Sequence, residues 1–276
     1  MSNNQPHNNP KVAIVGAGPG DVDLMTVKSV RLLQEADVVV YDRLVSDEIM
    51  KLVPEKTETT FAGKAARDHH MAQEDINQLL VDLAKQGKKV VRLKGGDPFI
   101  FGRGSEEAEF LAKNGIDFEI VPGITASAGC GAYGGIPLTH RGLATGVRFV
   151  TGHCRDGEHL DLNWKSLADV DTTLVIYMGL INVSKIVDEL IKAGLPSDTP
   201  AAGIERGTTP EQRTILTKLS ELPECVERAQ LKAPSLLIIG RVVDLAHSIS
   251  WHIPARDCLL ERDELENKTK GLPQNK

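Results

Sequence analysis

The side chains and backbone groups suited to act on a ligand gather most densely in the run Leu93-Lys94-Gly95-Gly96-Asp97-Pro98-Phe99-Ile100-Phe101-Gly102-Arg103-Gly104. Gly95 and Gly96 let a ligand come close to the backbone, because no side chain stands in the way. Asp97 supplies an acceptor beside that opening. Pro98 removes a backbone donor and stiffens the exit. Arg103 and Glu106 follow, three residues apart and so on one face of the helix they open. An apolar run at Lys89–Leu93 leads in, and a helix through Ala112 leads out.

A second glycine segment, Gly16-Ala17-Gly18-Pro19-Gly20-Asp21, also follows an apolar strand. It invites comparison with a dinucleotide-binding turn, which needs a third glycine where Asp21 stands. Such a turn holds pyrophosphate on free backbone amides at a helix start. Pro19 has no amide hydrogen and Asp21 repels phosphate. A dinucleotide-binding module is therefore the weaker reading, and a ligand without phosphate fits the turn better. Arg141, in a glycine-flanked loop, is placed like Arg103 to grip a carboxylate in a bidentate way.

These segments sit at the ends of alternating strands and helices. Lys11–Val15 and Val38–Tyr41 read as buried parallel strands, with a helix over Met25–Glu35 between them. Ile76, Leu79, Leu80 and Leu83 form an amphipathic stripe that Gly87 ends. Phe118–Val121 reads as a strand and Thr125–Tyr133 as a helix. The later half holds strands at Arg148–Thr151, Thr173–Met178, Ala201–Ile204 and Ser235–Ile239. Its clearest helix carries Val183, Ile186, Val187, Leu190 and Ile191. The alternation implies α/β layers. The expected division is an N-terminal α/β domain over 11–142 and a C-terminal one over 143–252. The Asn- and Pro-rich residues 1–10 and the charged residues 253–276 read as tails.

The 276 residues carry a formal charge of −6, against the basic excess of a nucleic-acid surface. No apolar run is long enough to span a membrane. The first ten residues lack the apolar core of a signal peptide, so the cytoplasm is expected. Cys130, Cys154, Cys225 and Cys258 make no Cys-x-x-Cys pair, and no metal site is expected. His153, Cys154 and His159 cluster but lack further ligands.

Taken together, the segments Val15-Gly16-Ala17-Gly18-Pro19-Gly20-Asp21, Val39-Val40-Tyr41-Asp42, Gly95-Gly96-Asp97-Pro98, Phe101-Gly102-Arg103-Gly104, Val121-Pro122-Gly123-Ile124-Thr125-Ala126 and Gly135-Ile136-Pro137-Leu138-Thr139-His140-Arg141-Gly142 resemble the tetrapyrrole (corrin/porphyrin) methylases. The resemblance runs from about Lys11 to His252. It implies two α/β domains with the active site in the cleft between them, and a homodimer. It implies transfer of methyl groups from S-adenosylmethionine to carbons 2 and 7 of uroporphyrinogen III. The products are precorrin-2, by way of precorrin-1, and S-adenosylhomocysteine; precorrin-2 then feeds sirohaem, cobalamin or haem d1. Pro19, Gly95, Gly96, Asp97, Ile100, Thr125, Ala126, Met178 and Ala233 are the donor-binding positions it implies.

Arg103, Glu106, Arg141, Lys64 and His70 are the expected contacts to the substrate's eight carboxylates. Methylation leaves a cationic macrocycle that must lose a proton, and Glu106 and Asp42 are the acidic residues placed to take it. Arg103 is too basic to be that acceptor and serves orientation, as a unit with Glu106. After Gly63-Lys64 the family pattern calls for a basic residue and then glycine, where this chain has Ala65 and Ala66. With the resemblance starting at Lys11, no fused dehydrogenase or chelatase segment is expected. The rival readings are a methylase of the same fold acting on a later corrin intermediate, a protein side chain or RNA, and the dinucleotide module above.

Overall fold

The computed structural model describes residues 11–63, 71–153 and 160–252. The chain divides after Thr125 into two compact units. The sequence reading put this break near 142. The helix Ala126–Tyr133 instead belongs to the second unit. Close packing explains why: a Cβ on Gly134, just past the helix, would lie 3.1 Å from Ile204, and a Cβ on Gly207, after the strand that carries Ile204, would lie 2.2 Å from Cys130 Sγ of the helix. The Ser127 amide also donates to the Tyr177 hydroxyl at 3.0 Å.

The first unit is a parallel sheet in the order β3-β2-β4-β1-β5. Its strands are β1 (Val12–Gly16), β2 (Val38–Tyr41), β3 (Glu58–Phe61), β4 (Val90–Lys94) and β5 (Phe118–Val121). Alternate side chains point to opposite faces. Ala13, Val15, Val39, Val91 and Leu93 pack with Leu33 of α1 (Val27–Glu35) and Ile49 of α2 (Asp47–Met50). Val12, Ile14, Val38, Val40 and Val90 pack with Ile76, Leu80 and Leu83 of α3 (Gln73–Lys85) and Leu111 of α4 (Gly104–Lys113). Burial of each such side chain contributes about 1.5–3 kcal/mol. Thr26 caps α1 by accepting from the Ser29 amide at 3.1 Å. Strand β3 escaped the sequence reading because it is an edge strand, largely exposed, with no apolar run.

The second unit holds α5 (Ala126–Tyr133), α6 (Trp164–Leu167), α7 (Val183–Lys192), α8 (Leu222–Arg228) and α9 (Ala246–Ile249). Its strands are β6 (Gly146–Thr151), β7 (Thr172–Tyr177), β8 (Pro200–Glu205), β9 (Arg213–Lys218) and β10 (Ser235–Ile239), in the order β6-β7-β10-β8-β9. Only β6 and β7 pair in parallel; β7 with β10, β10 with β8 and β8 with β9 are antiparallel. The unit remains α/β, with α7 and α8 packed on one sheet face through Ile186, Leu190, Leu222 and Val226. The second edge strand, β9, was also missed in the sequence. Its charged ends, Arg213 and Lys218, hide the buried Ile215 and half-buried Leu216 between them.

Candidate functional site

Strand order decides where a ligand can enter the first unit. From β1 the chain crosses to β2 on one side, and from β4 it crosses to β5 on the other. In an open parallel sheet a crevice opens at that reversal, outside the carboxyl ends of the strands. The glycine segments after β1 and β4 both lie there. They are zipped together: the Gly96 amide donates to the Gly18 carbonyl at 2.7 Å and the Gly18 amide to the Gly96 carbonyl at 3.1 Å. The Ala17 amide donates to the Lys94 carbonyl at 2.8 Å.

A third loop, after β5, closes on the same point. A Cβ on Gly123 would lie 2.3 Å from the Gly96 oxygen and 2.8 Å from Gly16 Cα. A Cβ on Gly16 would lie 2.5 Å from the Gly123 nitrogen. Three strand ends therefore meet backbone to backbone, and only glycine permits it. The loop after β2 joins them. A Cβ on Gly95 would lie 2.4 Å from Leu44 Cβ, and Ser46 Oγ donates to the Gly20 carbonyl at 2.9 Å.

Asp97 fastens this junction. Its Oδ1 accepts from the Phe99 amide at 2.9 Å and its Oδ2 from the Gly123 amide at 3.1 Å. The carboxylate so binds the β4 loop to the β5 loop, a tie that the sequence did not reveal. Just beyond, Phe101 and Arg103 have positive φ, 54° and 58°. Left-handed backbone at two non-glycine residues costs roughly 1–2 kcal/mol each. Such strain gathers where a site dictates geometry over stability. Pro19 and Ile100 line the same loops and are half-buried.

Arg103 and Glu106 form the expected unit. Arg103 Nε donates to Glu106 Oε1 at 2.9 Å and Nη2 to Oε2 at 2.6 Å, both side chains being exposed. The hydrogen bond to Glu106 pushes the Arg103 guanidinium above its ordinary value, so Arg103 stays charged. Asp42 stands apart from that pair, at the end of β2. Its Oδ1 accepts from the Leu44 amide at 3.0 Å and its Oδ2 faces Arg92 Nη2 at 3.5 Å. Asp42 therefore sits one residue from the turn that presses on Gly95.

In the second unit Met178 follows β7. It is 50% exposed with φ 55°, so it does not fill the core. Ala233 is exposed just before β10, and Arg141 is exposed in the turn that the His140–Ala144 bridge closes. Thr125 and Ala126 follow the Gly123 loop into α5 and are half-buried. Lys64, His70, Cys154 and His159 lie outside the described residues.

The sequence reading passed over a buried charged group behind the junction. Arg92 and Lys94, on β4, and Glu107, on α4, are 3%, 4% and 0% exposed. Burial first, and then the Arg92 charge, hold the Lys94 ammonium below its ordinary value. The signal was present: two basic residues at i and i+2 in a strand covered on both faces.

Glycine backbones packed at the reversal of a parallel sheet, fastened by one aspartate, define an α/β unit of the open parallel class, in which ligands are taken at the loop ends. The family model of the Tetrapyrrole (Corrin/Porphyrin) Methylases matches residues 11–223, and the chain belongs to that family. It is 56% identical over 242 residues to the siroheme synthase of Pseudoalteromonas translucida, covering 87% of this chain and 51% of that relative. The chain thus spans about half the length of the curated relatives it matches. Among solved structures it is similar to uroporphyrin-III C-methyltransferase from Thermus thermophilus complexed with S-adenosylhomocysteine. That match has a TM-score of 0.74 and 41% identity, over 85% of this chain and 99% of that one. A cobalt precorrin-4 methyltransferase superposes with a TM-score of 0.75 at 29% identity, over 84% and 95% of the two chains.

Proposed function

We propose that the chain is an S-adenosylmethionine-dependent methyltransferase that methylates carbons 2 and 7 of uroporphyrinogen III, forming precorrin-2 by way of precorrin-1. The meeting of Gly16, Gly96 and Gly123, fastened by Asp97, is the observation that carries this reading. It gives a crevice with bare backbone edges, a nearby carboxylate and no anion nest, which suits a cationic donor without phosphate. The higher identity to the uroporphyrin-III enzyme than to the precorrin-4 enzyme favours the earlier substrate. The siroheme synthase relatives favour sirohaem as the destination.

S-adenosylmethionine, when bound, supplies a methyl group on a sulfonium. Pro19, Gly95, Gly96, Asp97, Ile100, Thr125 and Ala126 are the residues proposed to hold it, with Met178 and Ala233 from the second unit. The exposed, left-handed Met178 is better explained by a ligand wall than by packing.

The nucleophile is a β-carbon of an electron-rich pyrrole, so the protein contributes position and not a nucleophile. Orientation of this kind lowers barriers by up to about 7–11 kcal/mol. Arg103 and Arg141 are proposed to grip substrate carboxylates, with Lys64 and His70 as further contacts. Of the two acids, Asp42 is the better proton acceptor. Both Glu106 oxygens accept from Arg103, at 2.9 and 2.6 Å, whereas Asp42 Oδ2 has a looser contact with Arg92, at 3.5 Å. The enzyme is expected to act as a homodimer in the cytoplasm. No helix among the described residues is long and apolar enough to cross a membrane.

Incubation with S-adenosylmethionine and freshly reduced uroporphyrinogen III, followed by mass spectrometry, tests the reading. The expected record is gain of one and then two methyl groups. No methylated product, with a control enzyme active under the same conditions, overturns it.

A further inference from the structure

The buried charges behind the crevice have no evident part in stability. Glu107 Oε1 accepts from Lys94 Nζ at 2.9 Å, Arg92 Nε at 3.1 Å and Gln73 Nε2 at 3.2 Å. Glu107 Oε2 is buried with no hydrogen-bond partner among the described residues. Arg92 Nη1 donates to the Val40 and Leu93 carbonyls at 3.3 and 3.1 Å. Arg92 lies in register between Ile14 and Val40, at a position where an aliphatic side chain would continue the core. Taking such ions out of water is costly, and aliphatic residues of the same volume are often as stable or more so.

What the group does reach is Asp42. Arg92 Nη2 is 3.5 Å from Asp42 Oδ2, and Asp42, 24% exposed, is the carboxylate of this group that meets solvent. The Leu44 amide holds the other oxygen. Asp42 is thus fixed between the turn that presses on Gly95 and a guanidinium held by its hydrogen bonds to Glu107 and to the Val40 and Leu93 carbonyls.

We infer that Arg92, braced by Glu107, is a positioning residue for Asp42, aiming its carboxylate at the proton that the methylated macrocycle must lose. The inference rests on the reading of Asp42 as the proton acceptor. The methylated β-carbon already bears a carboxylate side chain and holds no hydrogen, so in that step a pyrrole N–H or bridging C–H bond of the cationic macrocycle breaks, its electron pair neutralises the ring cation, and the proton goes to an Asp42 oxygen. Asp42 becomes neutral, and Arg92 still has Glu107 as its counter-ion. The charged groups facing Asp42 from β4 are Arg92 and Lys94, with Glu107 behind them on α4.

The experiment compares Arg92→Met, Arg92→Lys, Asp42→Asn and the double variant Arg92→Met/Asp42→Asn in steady-state methylation, with S-adenosylhomocysteine affinity measured by calorimetry on each. Arg92→Met is expected to lower kcat about a hundredfold, the scale of a misplaced catalytic group. KM for uroporphyrinogen III and S-adenosylhomocysteine affinity should not change. Arg92→Lys should recover part of the loss, and the double variant should be no slower than Asp42→Asn alone. A purely structural role predicts otherwise: both affinities fall with kcat, and the two losses multiply, which overturns the inference. If Arg92→Met does not fold, Glu107→Gln carries the same test, since it keeps the acceptor oxygen but removes the charge that braces Arg92. Asp42→Asn at the wild-type rate overturns the acceptor reading and the inference together. A slow Asp42→Asn with a wild-type Arg92→Met overturns the inference alone.

Discussion

Replacing Gly123 with alanine tests whether the three loops form the donor site. The new Cβ would stand 2.3 Å from the Gly96 oxygen, 2.8 Å from Gly16 Cα and 2.9 Å from the Gly16 carbonyl carbon. These are backbone atoms, so no flexible side chain can give way. The first contact falls short of a comfortable separation by roughly 1 Å. Gly96 cannot retreat freely, because its amide and carbonyl are both bonded to Gly18. The Asp97 bond to the Gly123 amide, 3.1 Å long, would have to stretch as well. Overpacking of this kind costs about 1–3 kcal/mol. Part of that cost appears as lost stability, at about 2–4 °C per kcal/mol for a chain of this size.

The rest must move the Gly95-Gly96-Asp97 loop. A shift near 1 Å should slow methyl transfer by on the order of a hundredfold. S-adenosylhomocysteine binding, followed by calorimetry, should weaken by at least roughly tenfold, equal to about 1.4 kcal/mol. Gly115→Ala is the matched control. Gly115 has φ 69° with open space around its Cβ position, so alanine there carries backbone strain without a clash. Gly115→Ala should lose stability and keep its affinity. If Gly123→Ala melts early but binds S-adenosylhomocysteine and turns over as wild type does, the junction is structural and the donor lies elsewhere.

Met178→Gly relieves left-handed strain worth roughly 1–2 kcal/mol, so it should raise the melting temperature while weakening S-adenosylhomocysteine binding; a rise with unchanged affinity would return Met178 to a structural role. Arg141→Ala should raise the uroporphyrinogen III KM, since a charge-assisted hydrogen bond contributes about 1.5–3 kcal/mol, and a wild-type KM would remove Arg141 from the substrate side. Glu106→Gln should change melting little, because exposed ion pairs contribute about 0–1 kcal/mol, and should slow turnover far less than Asp42→Asn; the opposite ranking would make Glu106 the acceptor. Burial pushes the Cys130 thiol up to about 12 from 9.0, so in the native protein at pH 8 iodoacetamide should label half-buried Cys225 well before Cys130. Because the folded-state value is raised, the stabilisation from Cys130 is fully present below pH 9.0 and lost as pH climbs toward about 12. The stability gap between wild type and Cys130→Ala should therefore narrow over that interval, and a constant gap would show that the thiol is not protected.

What the sequence disclosed depended on how local each signal was. The runs Val12–Gly16 and Val38–Tyr41 are buried on both faces and read as strands from their residues alone. The edge strands Glu58–Phe61 and Arg213–Lys218 gave no comparable run, because an edge buries little. The antiparallel pairing of β10 with β7 and β8 joins segments far apart in the chain, and nothing in Ser235–Ile239 itself fixes its direction. The same distinction governs the site. Gly95, Gly96 and Asp97 were conspicuous as a string, but the close approach of Gly16, Gly96 and Gly123 exists only after β4, β1 and β5 lie side by side.

Asp97 shows the limit most clearly. From the sequence it was an acceptor beside an opening. In the fold both of its oxygens hold backbone amides, so it ties the loop after β4 to the loop after β5. Arg92 was legible only as part of a strand, since its partners Glu107 and Asp42 come from α4 and β2. A charge in a strand covered on both faces must find its counter-ion across the fold. That rule, applied to the basic pair Arg92 and Lys94, would have pointed from the sequence to a buried acid on a neighbouring element. It leads in the structure to Glu107, and through Arg92 to Asp42.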